Sequence, residues 1–242
     1  MHPRRSLLVA GLAVSCMVGT APWTAAQDDG SIEIPGLGET RIDVPRPSSD
    51  ASACQLDLPE GESIAQRVAR LRQLGLFADR ASLTDAELAE VIETAIATTW
   101  GGAIPPDDPF LELIVAEQDP DRVWWRDLEA DVWSGGELYL ATLEEWAAIS
   151  VDAFTPSGIS ETWASEQGPI RIAFEMGGST HILEPEYLDD WIDPRILEPI
   201  NELIAPTGRR FRMLSPFDQT AFVMALTDTE VAELERAGWC FV

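Results

Sequence analysis

Carboxylates are the reactive side chains that this sequence carries in quantity. The 242 residues include 42 Asp and Glu, two His and three Cys, and all sixteen basic residues are Arg. The lack of Lys excludes Schiff-base enzymes, pyridoxal phosphate sites, Ser-Lys dyads and the lysine of a phosphate-binding loop. Only one His and two Cys follow residue 26, so a zinc site built from these residues within one chain is also excluded. No cofactor is therefore expected.

Two groups of acidic residues could supply carboxylate chemistry. A glycosidase needs two carboxylates, and a Mg²⁺ or Ca²⁺ site needs clustered oxygen ligands. The two groups are Asp127, Glu129 and Asp131 along a predicted strand, and Asp189, Asp190 and Asp193 at the start of a predicted helix. The second group is the better candidate for a metal or acid/base site. Such groups also arise by chance in a chain this acidic, so a solvated surface or helix capping is favoured.

Aromatic and basic residues provide two candidate binding surfaces. Trp124, Trp125 and Trp133 lie close together in a polar segment, and an exposed patch of this kind suits a carbohydrate or protein interface. Filling of the core is the favoured alternative for these residues. Arg210 and Arg212 share one face of a predicted strand and could receive an anionic ligand, although pairing with neighbouring carboxylates is favoured in so acidic a protein.

The clearest structural element is a hairpin at residues 169–184. Two apolar-alternating runs flank a Gly-Gly pair, which favours a two-residue turn because both turn positions need positive φ. Such a turn places Met176 opposite Ser179, and Phe174 opposite His181. His181 therefore lies on the apolar face, where a packed core histidine is favoured over the base of a catalytic triad.

The other elements are predicted from periodicity and capping residues. Helices are predicted at 63–76, 84–99, 140–147 and 193–204, with a kink or break in the last at Pro199, and a closing helix begins at 227. Residues 111–116 and 122–128 predict a hairpin, with a helix beginning at Pro109 as the alternative. Residues 159–164 predict a further strand, and 209–214 with 220–226 predict the last hairpin. The elements together predict one α+β domain at 61–242, in which antiparallel hairpins alternate with helices.

Residues 1–26 have the pattern of a secretion signal. Arg4 and Arg5 precede an apolar run, and small residues follow at the cleavage site. The run is too short to span a bilayer, so no transmembrane helix is expected in the mature chain. Lipidation at Cys16 is the less favoured alternative to ordinary cleavage, and Sec and twin-arginine export are both compatible with the leader. Residues 27–60 predict a flexible linker, and we expect a periplasmic or extracellular protein, free or membrane-tethered.

Cys54 and Cys240 are the two cysteines of the mature chain. In an exported protein two cysteines most often pair, so a disulfide between them is predicted. Because this bond would close nearly the whole folded region, the chain-entropy model assigns it a stabilisation of about 4–5 kcal/mol.

The formal net charge of −26 limits the partners of the protein. Nucleic acid and anionic membranes are recognised by clustered Lys and Arg, so nucleic-acid binding is not expected. A GC-rich genome and adaptation to high salt would each explain the absence of Lys, and the first is favoured.

These observations predict an exported, non-catalytic binding or interaction protein whose partner is an unidentified protein or small molecule. The first alternative is a carboxylate-dependent hydrolase of the metal or glycosidase type. The second alternative is an acidic inhibitor or immunity-type protein that masks a basic partner, which predicts an association that weakens steeply with salt.

Overall fold

The computed structural model describes residues 56–130, 132–214 and 219–241. Within these ranges the helices are α1 (Ile64–Gln73), α2 (Asp85–Trp100), α3 (Leu111–Glu117), α4 (Leu138–Ile149), α5 (Leu197–Ile204) and α6 (Asp228–Arg236). The strands are β1 (Trp124–Asp127), β2 (Ser157–Trp163), β3 (Ile170–Met176), β4 (Ser179–Leu183), β5 (Arg209–Met213) and β6 (Thr220–Thr227). The predicted α+β class is confirmed.

The hairpin of β3 and β4 has the predicted register. Met176 pairs with Ser179 and Phe174 pairs with His181, while both turn glycines have positive φ. Phe174 is buried on the inner face, and Ile182 on the other face is exposed. Strand β2 adds to the free side of β3 and completes an antiparallel sheet of order β2–β3–β4.

Strand β6 lies in the centre of a second antiparallel sheet, of order β1–β6–β5. Its pairing with β5 confirms the predicted last hairpin. Both faces of β6 are buried, which explains why its sequence is a continuous apolar run instead of an alternating one. One face contributes Phe222, Met224 and Leu226 to a core with α1, α2, α3 and α6. The other face packs with α4, α5 and the β2–β3–β4 sheet.

The hairpin predicted at 111–128 is wrong. Its first half is helix α3, and its second half contains β1, which pairs with β6 and not with its sequence neighbour. All six residues from Leu111 to Ala116 are buried, so the segment has no polar face that would reveal a helical period. Periodicity alone does not distinguish a short buried helix from a buried strand. The alternative of a helix after Pro109 was nearer to the observed structure.

The predicted helix starts are set by local hydrogen bonds. Thr84 and Thr227 form capping boxes with Glu87 and Glu230 at the starts of α2 and α6. The helix predicted at 193–204 is divided, because a 3₁₀ turn at Pro194–Ile196 precedes α5. The break comes before Pro199, which lies in the first turn of α5, where its missing N–H has no consequence.

A buried ion cluster joins α1 to α3. The Glu112 carboxylate, fully buried, accepts hydrogen bonds from Arg67 Nη1 (3.2 Å), from the Arg70 guanidinium and from Trp239 Nε1 (3.4 Å). Arg67 is itself 1% exposed, whereas Arg70 also reaches Glu62 near the surface. Both charges of the inner pair are therefore compensated inside the apolar core.

The first described residues lie against the carboxyl-terminal part of the domain. The Asp57 N–H donates to the Gly238 carbonyl (2.9 Å), and Leu56 and Leu58 pack against the core. A Cβ on Gly238 would lie 1.9 Å from the Asp57 carbonyl oxygen, so only glycine allows this approach. The predicted signal, Cys16 and Cys54 lie outside the described residues. Within the described ranges, no helix combines the length and apolarity needed to span a membrane.

Candidate functional site

An open apolar groove of about 390 Å³ lies beside the carboxyl end of α2. It is bounded by the end of α2, the loop to α3, one face of α3 and the first strand of the β1–β6–β5 sheet. Its lining consists of Trp100, Gly101, Gly102, Ala103, Ile104, Pro105, Asp108, Phe110, Ile114 and Trp125. We refer to these residues as the apolar groove.

Local backbone preferences place the groove. Gly101 caps helix α2 directly after Trp100, and its φ of +74° is the left-handed conformation that glycine adopts at helix ends. The loop that follows is tied to the domain through Pro106, whose carbonyl accepts from the Gly61 N–H (3.2 Å) and from Arg67 Nη2 (3.1 Å). The loop between α2 and α3 is thus held by the same arginine that enters the buried ion cluster.

The groove exposes aromatic side chains. Trp100 is 55% exposed and Phe110 is 40% exposed, both well above what large apolar side chains usually show. Trp125 is half-buried and packs its ring against Phe222, with 5.7 Å between ring centroids. Exposed aromatic side chains that line one open groove are typical of an interaction site.

Asp108 is the one charged residue among the described residues that line the groove. Its Oδ1 accepts the Phe110 N–H (2.8 Å), so this carboxylate orders the start of α3. The same described lining holds no Ser, Thr, His or Cys that could act as a nucleophile or base. The chemistry available in the groove is therefore apolar and aromatic contact beside one carboxylate.

The three tryptophans predicted as a patch do not share one surface. Trp124 is buried in the core and its Nε1 donates to the Glu145 carboxylate. Trp133 is 59% exposed, but its ring lies over the Gly135-Gly136 turn, away from the groove lining. Trp125 alone of the three belongs to the groove. The sequence feature that could have identified Trp100 as a groove residue is its position at the end of an apolar-periodic helix, directly before Gly-Gly.

The acidic residues singled out for metal binding have other partners. Asp193 is buried, caps the following 3₁₀ turn and pairs with Arg195 Nε (2.7 Å). Asp189 accepts from the Tyr187 hydroxyl (3.2 Å), and Asp190 is exposed. Among the described residues no group of three His, Cys, Asp or Glu side chains is arranged to hold a metal ion.

In the other acidic group, the Asp127 carboxylate also has hydrogen-bond partners within the chain. Asp127 accepts from the Glu129 N–H (2.9 Å) and from Gln219 Nε2 (2.8 Å), while Asp131 lies outside the described residues. Asp127 ends β1, so the predicted alternation along a strand does not continue past it. The carboxylate of Asp127 therefore connects the end of β1 to Gln219, the residue directly before β6.

His181 is held as a structural residue. Its Nε2 lies 3.1 Å from the Met176 carbonyl oxygen, which can only accept, so Nε2 carries the hydrogen. The imidazole packs against the Phe174 ring, with 5.5 Å between ring centroids and a tilt of 30°. With Nε2 committed to the backbone, this histidine is not oriented as the base of a catalytic triad.

Two carboxylates outside the groove have raised pKa values. Burial raises the pKa of Glu117, with Arg126 opposing the shift. Burial also raises the pKa of Asp119, although the hydrogen bond from the Phe77 N–H lowers it in part. Neither residue lines the apolar groove or the polar cavity of about 520 Å³ beside Arg70 and Glu235. These shifts accompany burial at the end of α3.

The basic residues on β5 pair with the start of α6. Arg209 Nη1 lies 2.8 Å from Glu230 Oε2, and Arg122 Nη2 lies 3.0 Å from Glu230 Oε1. Arg212 Nη2 is 3.6 Å from Asp228 Oδ1, and Arg210 is exposed. Ion pairing with helix α6 thus occupies Arg209 and Arg212, which leaves Arg210 as the exposed arginine of this strand.

Replacing Glu230 with Gln is expected to lower the free energy of unfolding at neutral pH by about 1 kcal/mol. Burial would raise the pKa of Glu230, but hydrogen bonds from Thr227 and the charges of Arg122 and Arg209 lower it below 4.5. Since its folded-state pKa is depressed, the stabilisation is present above the unfolded pKa and is lost as pH falls through the folded pKa.

Urea unfolding over a pH series measures this prediction. The difference between the wild type and Glu230→Gln should vanish at acid pH, where both side chains are neutral. Glu235→Gln, at an exposed position of the same helix, is the matched control and should show little change. A difference between the wild type and Glu230→Gln that persists undiminished in acid would contradict the assignment.

Comparisons of the chain with models of known protein families, with curated proteins and with solved structures found no match. Among the described residues, the apolar groove combines concavity with exposed aromatic side chains. The groove joins the segment 100–114 to Trp125 of β1, and we take it as the candidate functional site.

Proposed function

We propose that this chain is an exported, non-catalytic binding protein and that its apolar groove holds an apolar or aromatic side chain of a partner protein. The observation that carries the proposal is the exposure of Trp100 and Phe110 along one open groove. Exposing these rings to water is unfavourable by roughly 25 cal/mol per Å² of apolar surface. A partner that covers them recovers this free energy.

The dimensions of the groove favour a protein over a small molecule as the partner. At about 390 Å³ the groove is near the lower limit of ligand pockets, and small-molecule sites usually enclose most of the ligand. An open groove with Trp and Phe at its edge instead resembles the hot spots of protein interfaces, where a few aromatic residues carry most of the binding energy.

The environment of the reactive side chains supports a non-catalytic role. The buried Asp193 is paired with Arg195, and His181 Nε2 is bonded to a backbone carbonyl. Among the described lining residues of the groove, Asp108 supplies the single charge, and its carboxylate holds the Phe110 N–H. A hydrolase would need a second carboxylate or a nucleophile close to a reacting atom. Export rests on the leader sequence at residues 1–26.

Replacing Trp100 with Ala is expected to weaken binding of an apolar probe by about tenfold, because an aromatic hot-spot residue contributes more than about 1 kcal/mol to binding. Nile red, a neutral dye whose fluorescence rises in apolar surroundings, serves as the probe in a titration. Circular dichroism establishes that the variant is folded.

Trp133→Ala is the matched control. Trp133 is exposed to a similar extent, 59% against 55%, but lies outside the groove. Dye binding that survives Trp133→Ala and is lost with Trp100→Ala supports the proposal. Equal binding by the wild type and both variants, or equal loss in both variants, would contradict it.

A further inference from the structure

We infer that the partner segment held by the apolar groove is basic, with an apolar or aromatic residue flanked by Arg or Lys. This inference rests on the proposed function, because it names the chemistry of the partner at the same site. It requires a surface around the groove that attracts cations, and rings within the groove that accept them.

The charged side chains that line the groove, or that flank it on α2 and on the loop to α3, are negative. Asp108 lines it, and the neighbouring Asp107 is exposed on the same loop. Glu93 is exposed on α2, two helical turns before Trp100 and so on the same face. The whole chain adds a net charge of −26, which steers a basic partner towards it and repels an acidic one.

Two arginines that contact or adjoin the groove segments are already engaged. Arg67 is 1% exposed, and its guanidinium is bonded to Glu112 and to the Pro106 carbonyl. Arg126 follows Trp125 on β1, so its side chain leaves the opposite face of the strand, where it pairs with Glu145 (3.5 Å). Neither cation is presented to a ligand in the groove, so the groove would not favour an anionic ligand.

The exposed rings add a specific attraction for cations. A guanidinium or ammonium group over an indole face is stabilised by the ring quadrupole, and Trp is the best acceptor among the aromatic residues. Trp100, at 55% exposure, offers such a face beside Asp108. A segment with an apolar residue in the groove could place a flanking Arg or Lys over Trp100 while Asp107 and Asp108 balance its charge.

Three fluorescently labelled peptides with one shared Leu-Phe-Leu centre and flanks of Arg, Ser or Glu test this inference by fluorescence anisotropy with the full chain. The Arg-flanked peptide should bind at least about tenfold more tightly than the Ser-flanked peptide in about 0.1 M salt, and this advantage should be lost in about 1 M salt, where the Debye length falls to about 3 Å. The Glu-flanked peptide should bind most weakly.

Variants of the groove locate the effect. Trp100→Ala should weaken the Ser-flanked peptide by about tenfold, and the Arg-flanked peptide by more, because it also removes the ring that accepts the cation, while Trp133→Ala should weaken neither. Asp107→Asn with Asp108→Asn should weaken only the Arg-flanked peptide, by about threefold. The same charge change at Glu198 and Glu202, exposed acids of α5, is the matched control and should have a smaller effect.

Failure of the inference and failure of the proposed function give different results. If the Ser-flanked peptide binds in a Trp100-dependent way and the Arg-flanked peptide binds no more tightly, the basic partner is refuted and the binding groove stands. If no peptide depends on Trp100, the groove itself is refuted as the binding site. Tight binding of the Arg-flanked peptide that ignores Trp100→Ala would place the attraction elsewhere on the acidic surface and also overturn the inference.

Discussion

Replacing Glu112 with Ala is expected to lower the free energy of unfolding by about 3–5 kcal/mol. The fully buried carboxylate accepts hydrogen bonds from Arg67, Arg70 and Trp239. Its removal leaves the guanidinium of Arg67, at 1% exposure, without its carboxylate partner inside the core. An unpaired buried charge costs much more than the pair contributes, so the loss exceeds what the hydrogen bonds alone would predict.

Urea unfolding followed by tryptophan fluorescence measures the Glu112 effect. Glu62→Ala is the matched control, because Glu62 pairs with the same Arg70 but its side chain is 29% exposed. A partly solvated pair contributes at most about 1 kcal/mol. If Glu112→Ala were no more destabilising than Glu62→Ala, the Glu112 carboxylate would not be compensating the buried charge of Arg67.

The same cluster connects stability to the candidate site. Arg67 also donates to the Pro106 carbonyl, in the loop that continues from the groove lining. Loss of Glu112 frees Arg67 to reorient, so we expect the groove loop to be disturbed together with the core. A rigid groove loses less entropy when it holds a partner. This benefit would offset the desolvation cost of the buried ion pair that fixes the groove loop.

Local patterns predict the β3–β4 hairpin and the starts of α2 and α6 correctly because the determining residues are neighbours in the sequence. The Gly-Gly pair at 177–178 sets the turn, and alternation on either side decides which face is buried. The capping boxes of α2 and α6 act over three residues, so they can be recognised from the sequence alone.

Non-local burial explains what the sequence does not predict. Helix α3 looks like a strand because every residue from Leu111 to Ala116 is buried, and Glu112 within it resembles the polar position of an alternating strand. The arginines that neutralise Glu112 precede it by 45 and 42 residues. Nothing near Glu112 in the sequence indicates that they face it.

The candidate site is predicted less well than the fold for the same reason. Three tryptophans that are close in sequence diverge, since Trp124 faces the core, Trp125 the groove and Trp133 the solvent. Adjacent residues of a strand point to opposite sides of the sheet. The groove instead combines Trp125, on β1, with Trp100 at the end of α2 and Phe110 directly before α3.

Replacing Cys54 with Ser is expected to lower the free energy of unfolding under oxidising conditions by about 4–5 kcal/mol, through loss of the predicted disulfide with Cys240. The described residues support this pairing. The Asp57 N–H donates to the Gly238 carbonyl, so the chain three residues after Cys54 lies beside the residue two before Cys240. Cys240 is buried, and the close approach at Gly238 tolerates no side chain.

Unfolding of the chain that begins after residue 26, compared with and without a reducing agent, tests the disulfide without a thiol from Cys16. The reductant should lower the stability of the wild type to that of Cys54→Ser and leave the variant unchanged, because a serine variant has no bond to lose. Thiol titration of the folded, oxidised wild type should find no free thiol. Two reactive thiols, or a variant as stable as the oxidised wild type, would show that the first described residues are held by the Asp57–Gly238 contact and core packing alone.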